Sequence, residues 1–134
     1  MSHQSFGRMS FSEREEKHDR LVHLIVCEYF RLGYFAIANY GHSEGADIIV
    51  ISEADGRITA VCECKNYAKF TRYGKAEFIA NESFDDGVDK LNQFDVLPNV
   101  EKWFIVSYSQ IISYEQRKKL QLNNIKLREI GHEP

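Results

Sequence analysis

The run Glu63-Cys64-Lys65 closes an apolar stretch, Ile58-Thr59-Ala60-Val61-Cys62, so it reads as the end of a β-strand. Side chains alternate faces along a strand, which sends Glu63 and Lys65 to one side and Cys64 to the other. A carboxylate and an ammonium then project together from a rigid element. Sixteen residues upstream, Asp47 stands in a second strand-like run, Ala46-Asp47-Ile48-Ile49-Val50-Ile51. Two carboxylates and a lysine on neighbouring strands suit a centre that holds a divalent cation and hydrolyses a phosphodiester. Mg²⁺ takes hard oxygen ligands, commonly one or two carboxylates with water and phosphate oxygens. Asp47 and Glu63 supply the carboxylates, and the backbone carbonyl of Cys64 adds a further oxygen. Lys65 suits charge stabilisation and positioning, because a lysine beside two carboxylates keeps its proton.

The elements that must carry these residues follow from periodicity and punctuation. Ser12, with Glu15 three residues on, predicts a capped helix from about Glu13 to Leu32, stopped at Gly33. Residues 1–12 read as a flexible arm and 13–134 as a single domain. Leu21, Leu24, Ile25, Tyr29 and Leu32 form the helix's apolar stripe. Glu28 falls inside that stripe and His18 close to it. Three strands are expected next, Tyr34–Asn39, Asp47–Ser52 and Arg57–Lys65, the last two joined by a turn at Asp55-Gly56. Ser83 with Asp86 predicts the cap of a second helix ending near Leu97-Pro98. Trp103–Ser107 is a fourth strand, Ser113 with Gln116 caps a third helix to about Asn123, and Lys126–Ile130 is a last strand. The order helix, three strands, helix, strand, helix, strand implies an α/β sandwich around one mixed sheet. The helical crossover makes the third and fourth strands parallel.

Composition bounds the reading. The 134 residues suit one domain with a real core, and 43% hydrophobic with 13% aromatic residues support folding. No window approaches a membrane span, and the polar start lacks a signal-peptide core, so a cytoplasmic protein without a membrane partner is expected. Three cysteines fit a reducing compartment, with Cys62 and Cys64 on the core side of their strand. The net charge of −3 excludes a uniformly basic nucleic-acid binder, so phosphate contacts would need unevenly distributed cations.

Gly45-Ala46-Asp47-Ile48-Ile49-Val50 followed by Cys62-Glu63-Cys64-Lys65-Asn66, with a helix before and after, resembles the PD-(D/E)xK nuclease superfamily. The element order and short length most resemble archaeal-type Holliday-junction resolvases. The resemblance implies a restriction-endonuclease-like three-layer sandwich with a central mixed β-sheet of about five strands flanked by helices. It implies Asp47 and Glu63 as metal-binding acids, Lys65 as the catalytic lysine, Mg²⁺ as cofactor (Mn²⁺ as substitute) and DNA as substrate, branched DNA included. Ala46 stands where the motif has proline. Resolvases also carry an acid near the start of the first helix; aligning the stripes puts His18 there, with Glu28 further along the same face. A Gln on the second helix, here Gln93, contacts metal-bound water or substrate in relatives.

Other residues carry alternatives. Glu28 either completes the site or pairs with Arg31 or Arg14 on its helix. His42 and Ser43 precede Asp47 in a loop that would flank the site. Lys69, Arg72 and Lys75, interleaved with Tyr67, Phe70, Tyr73 and Phe78, form either a nucleic-acid-binding loop or a segment whose rings complete a core or dimer interface. Cutting both strands of a structured substrate calls for two sites related by a two-fold axis, hence a homodimer. The competing function is a nuclease-fold module that binds nucleic acid or protein without turnover.

Overall fold

A computed structural model of the chain describes residues 11–39, 45–66, 78–107 and 112–130, and the side chains of the first helix from residue 15 onward. Helix α1 spans Phe11–Arg31. It already includes Ser12, so that residue is not its cap, and the expected arm loses residues 11 and 12 to the helix; residues 1–10 lie outside the described residues. Its buried side is Leu21, Val22 and Ile25, while Leu24 is 40% and Leu32 72% exposed. The stripe is therefore turned from the expected one, because Val22 rather than Leu24 meets the sheet. On a helix of about 3.6 residues per turn, this sets His18 between Ile25 and Tyr29 and leaves Glu28 at the margin. Gly33, at φ +93°, ends the helix in a conformation other residues resist.

Strands β1 (Tyr34–Ala38), β2 (Ile48–Ser52) and β3 (Ile58–Lys65) form an antiparallel meander. The turn between β2 and β3 contains Asp55-Gly56, as expected, but is longer than a two-residue hairpin. Ser52 N–H donates to the Arg57 carbonyl at 2.8 Å, and a bulge interrupts the register between Val50 and Ile51. Helix α2 (Asn81–Asn92) continues into a 3₁₀ turn (Gln93–Val96). Ser83 lies inside α2, whose N-cap is Ala80, because the Phe84 N–H already donates to the Ala80 carbonyl. Strand β4 (Glu101–Val106) pairs parallel with β3, as the crossover predicts. Helix α3 (Tyr114–Leu122) is capped by the predicted box of Ser113 and Gln116, and β5 (Ile125–Glu129) pairs parallel with β4. The sheet runs in the order β1-β2-β3-β4-β5.

Two apolar layers enclose the sheet. On one face Leu21, Val22 and Ile25 of α1 pack on Ala36, Ile48, Val50, Ala60, Cys62, Cys64 and Ile105. On the other, Phe84, Val88 and Leu91 of α2 and Leu120 of α3 pack on Val61, Phe104, Val106 and Ile125. Each large side chain so buried contributes about 1.5–3 kcal/mol. Alternation along β3 thus commits Cys62 and Cys64 to the α1 layer, and Val61, Glu63 and Lys65 to the α2 layer. No helix among the described residues is long and apolar enough to cross a membrane.

Candidate active site

Strands β2 and β3 part just where the charged residues stand. Ile48 opposite Cys62 is their last registered pair, and Asp47 precedes β2 by one residue. The Asp47 carbonyl still accepts the Asn39 N–H at 2.8 Å, which pins its backbone to the β1 side. Its side chain turns to β3, where Oδ2 accepts the Cys64 N–H at 2.8 Å. The carboxylate thus replaces the strand partner that β3 loses at the fork. Ala46, in the proline position of the resemblance, is 2% exposed, a small residue that this packing accommodates. Gly45, at φ +101°, supplies the left-handed turn into the strand.

Glu63 and Lys65 project together toward α2, as strand alternation requires, with Lys65 Nζ 3.5 Å from Glu63 Oε2. Glu63 is 2% exposed because α2 comes unusually close to it. A Cβ on Gly87 would lie 3.0 Å from Glu63 Cγ and 2.9 Å from Phe104 Cε2, so only glycine permits the approach. Glu63 Oε1 is buried and has no hydrogen-bond partner among the described residues. Burial, then repulsion from Asp47, pushes the Glu63 carboxyl up from an ordinary 4.5 to about 7, against the pull of Lys65 and Lys90. An acceptor stranded beside a second carboxylate is a place for a cation.

The donor set fits a hard divalent ion. Lys65 directs its carbonyl to β4, where it accepts the Ser107 N–H at 3.2 Å. Carbonyls alternate sides along a strand, so that of Cys64 points the other way, into the fork with Asp47. Asp47 and the Cys64 carbonyl therefore meet at the fork, one residue along β3 from Glu63. Among the described residues no three of His, Cys, Asp and Glu converge as a ready-made metal cage. Two carboxylates and a carbonyl are hard oxygen donors of the kind a divalent ion takes, with water and phosphate oxygens filling its remaining positions. The cysteine thiols do not compete: burial pushes Cys64 well above its ordinary range and Cys62 up to about 12.

The structure separates the two helix candidates. His18 Nε2 lies 3.2 Å from Asp47 Oδ2, and its Nδ1 3.5 Å from Asp19 Oδ1. Burial alone would lower the imidazole, but its bonds and charge interactions with Asp47 and Asp19 outweigh that and raise it. Glu28 faces away from the site. It holds Arg128 of β5 in a two-pronged pair, Oε1 to Nη1 at 2.7 Å and Oε2 to Nη2 at 3.1 Å. That partner is a hundred residues away in sequence; the side chain of Arg14 lies outside the described residues. Gln93 is also removed from the site. It is exposed in the 3₁₀ turn after α2, at the end of the sheet where β4 begins, because α2 runs back along β3. His42, Ser43, Lys69, Arg72 and Lys75, with Tyr67, Phe70 and Tyr73, lie outside the described residues. Phe78, the last ring of that series, is 60% exposed.

Sequence reasoning missed two residues that bear on the site. Lys90 of α2 pairs with Asp86 at 3.3 Å. Burial would lower its ammonium, but the fields of Glu63 and Asp86 outweigh this and raise it. Asn66, just past Lys65, donates to the Lys17 carbonyl at 2.7 Å. The available signal for α2 was a glycine inside a predicted helix, which marks a close approach.

No family model and no curated protein matches this chain. Among solved structures it is similar to a repair endonuclease from Pyrococcus abyssi, at 18% identity and a TM-score of 0.49, over 92% of this chain and 49% of that one. It is also similar to the protein of the EndoMS–dsDNA2 complex, at 12% identity and a TM-score of 0.52, over 98% of this chain and 50% of that one. The chain thus spans half the length of either. The likeness to EndoMS shows the fold: the five-stranded mixed sheet between helices is the restriction-endonuclease-like sandwich.

Proposed function

We propose that this chain is a metal-dependent endonuclease that hydrolyses phosphodiester bonds in DNA, with Mg²⁺ as the working ion and Mn²⁺ as its substitute. The observation that carries the reading is the buried, unpartnered Oε1 of Glu63 next to Lys65 and across the strand fork from Asp47. The same fold engages double-stranded DNA in the EndoMS complex, which supports DNA as substrate by analogy. Branched DNA such as a Holliday junction, or a restriction or repair substrate, and a homodimer that cuts both strands, are the finer parts of the same reading.

Asp47, Glu63 and the Cys64 carbonyl would hold the cation. Once bound, it would supply Lewis acidity at the phosphate and a more acidic water. Asp47 is oriented by the Cys64 N–H and by His18, so its carboxylate need not reorganise to bind. Lys65 brings positive charge to the phosphate as negative charge grows on its oxygens. Attack of water on phosphorus breaks one P–O ester bond and yields a phosphate end and a hydroxyl end. The close packing of α2 at Gly87 keeps water from the buried side of Glu63.

The test is purified protein with Mg²⁺ or Mn²⁺ against linear duplex, four-way junction, flap, single-stranded DNA and RNA. Cleavage of a DNA substrate is expected, with Lys65→Ala slowing it about 10³-fold per folded molecule. Cleavage that survives Lys65→Ala, or none on any substrate, overturns the reading in favour of a binding module.

A further inference from the structure

Asn66 reaches from the end of β3 into the α1 layer. Its Nδ2 donates to the main-chain carbonyl of Lys17 at 2.7 Å. Lys17 precedes His18, whose Nε2 lies 3.2 Å from Asp47 Oδ2, and that oxygen takes the Cys64 N–H at 2.8 Å. These contacts close a ring: β3 at Asn66, α1 at Lys17 and His18, Asp47 ahead of β2, and β3 again at Cys64. Most of the α1 interface is apolar, with Leu21, Val22 and Ile25 on the sheet. Such burial is non-directional and tolerates small rotations and slides of a helix. A hydrogen bond is directional, and a carbonyl has a second lone pair to accept it without loss of the helical bond. The Asn66 bond lies next to the residue whose placement matters.

We propose that Asn66 is a positioning residue: it sets the first turns of α1 on the end of β3 so that His18 holds the Asp47 carboxylate. The consequence for cation binding rests on the nuclease reading of Asp47; the positioning itself does not. His18 bears on the ion through Asp47, and Asn66 acts one step further out. Neighbours that orient a metal ligand are worth about 10–100-fold in affinity when removed.

The experiment compares wild type with Asn66→Ala, and with Asn66→Leu, which keeps the side chain's shape without its donor. In metal-free protein at one fixed pH, the ring-nitrogen NMR signals of His18 report its bond to Asp47. Both variants are expected to shift the Nε2 signal in the direction that Asp47→Asn shifts it, and to leave His23 unmoved. A His18 signal unchanged from wild type in the folded Asn66→Leu protein overturns the proposal. Mn²⁺ calorimetry supplies the second arm. Asn66→Ala is expected to weaken binding about 5-fold and His18→Ala about 10-fold, with no further loss in the double variant. Losses that multiply overturn the proposal. Wild-type protein that binds no Mn²⁺ overturns the nuclease reading instead, and the ring signals still decide the positioning.

Discussion

Lys65 and Lys102 are both buried on the α2 side of the sheet, at its opposite ends, and their surroundings differ. Lys102 Nζ is met by Asn92 Oδ1 at 2.8 Å, the Asn123 carbonyl at 2.7 Å and Asp95 Oδ1 at 2.8 Å. Its charge is matched and its donors are used. Lys65 stands 3.5 Å from a glutamate whose other oxygen has no partner, with a second carboxylate near by. A buried charge that is fully satisfied stabilises one geometry; a buried carboxylate oxygen left unpartnered among the described residues, as in Glu63, costs stability until something binds. The contrast teaches that burial of a lysine says little by itself, and that the carboxylate beside it tells structure from chemistry.

The comparison breaks first at Glu63. Its carboxyl titrates near 7 in the folded chain against an ordinary 4.5, so between those values the native state binds more protons than the unfolded one. Metal-free stability should therefore fall as pH rises through that window, by on the order of 3 kcal/mol, and the loss should be complete at about pH 8. Glu63→Gln should remove the slope and raise metal-free stability at pH 8. Mg²⁺ or Mn²⁺ should raise the unfolding temperature of wild type at pH 8 but not of Glu63→Gln. Denaturant melts across pH check both, and a flat wild-type profile contradicts the strained site.

Lys102→Met should do the opposite. It leaves Asn92 and the Asn123 carbonyl short of a donor, at a cost of about 1–3 kcal/mol, with cleavage per folded molecule unchanged. A urea melt beside an assay on the folded fraction measures this. The smallest effect belongs to Glu28→Gln. Its pair with Arg128 is partly exposed, 31% and 40% for the two side chains, and so is worth under about 1 kcal/mol. Cleavage should be unaffected, and a loss of activity there would reopen the choice between Glu28 and His18.

Much of the site was legible in the chain. Alternation put Glu63 and Lys65 on one face, and the turn after Ser52 brought the Asp47 strand alongside, because both are local consequences of strand geometry. The box of Ser113 and Gln116 was equally local. Helix-face readings fared worse. Choosing Leu24 over Val22 as part of the stripe turned Glu28 inward on paper, whereas in the fold it pairs with Arg128. Gln93, weighed as a site contributor against an exposed helix residue, is the exposed one, because α2 ends where β4 begins.

By itself the sequence determined the order of elements, the parallel crossover and the three residues of the motif, since period, turn residues and caps act over a few neighbours. Only the tertiary structure decided which helix residue meets Asp47, how closely α2 approaches Glu63 at Gly87, and that Glu63 Oε1 is left without a partner. Those outcomes depend on packing between segments far apart in the chain, where a rotation of one helix by a fraction of a turn puts Val22 rather than Leu24 on the sheet and carries Glu28 to the margin.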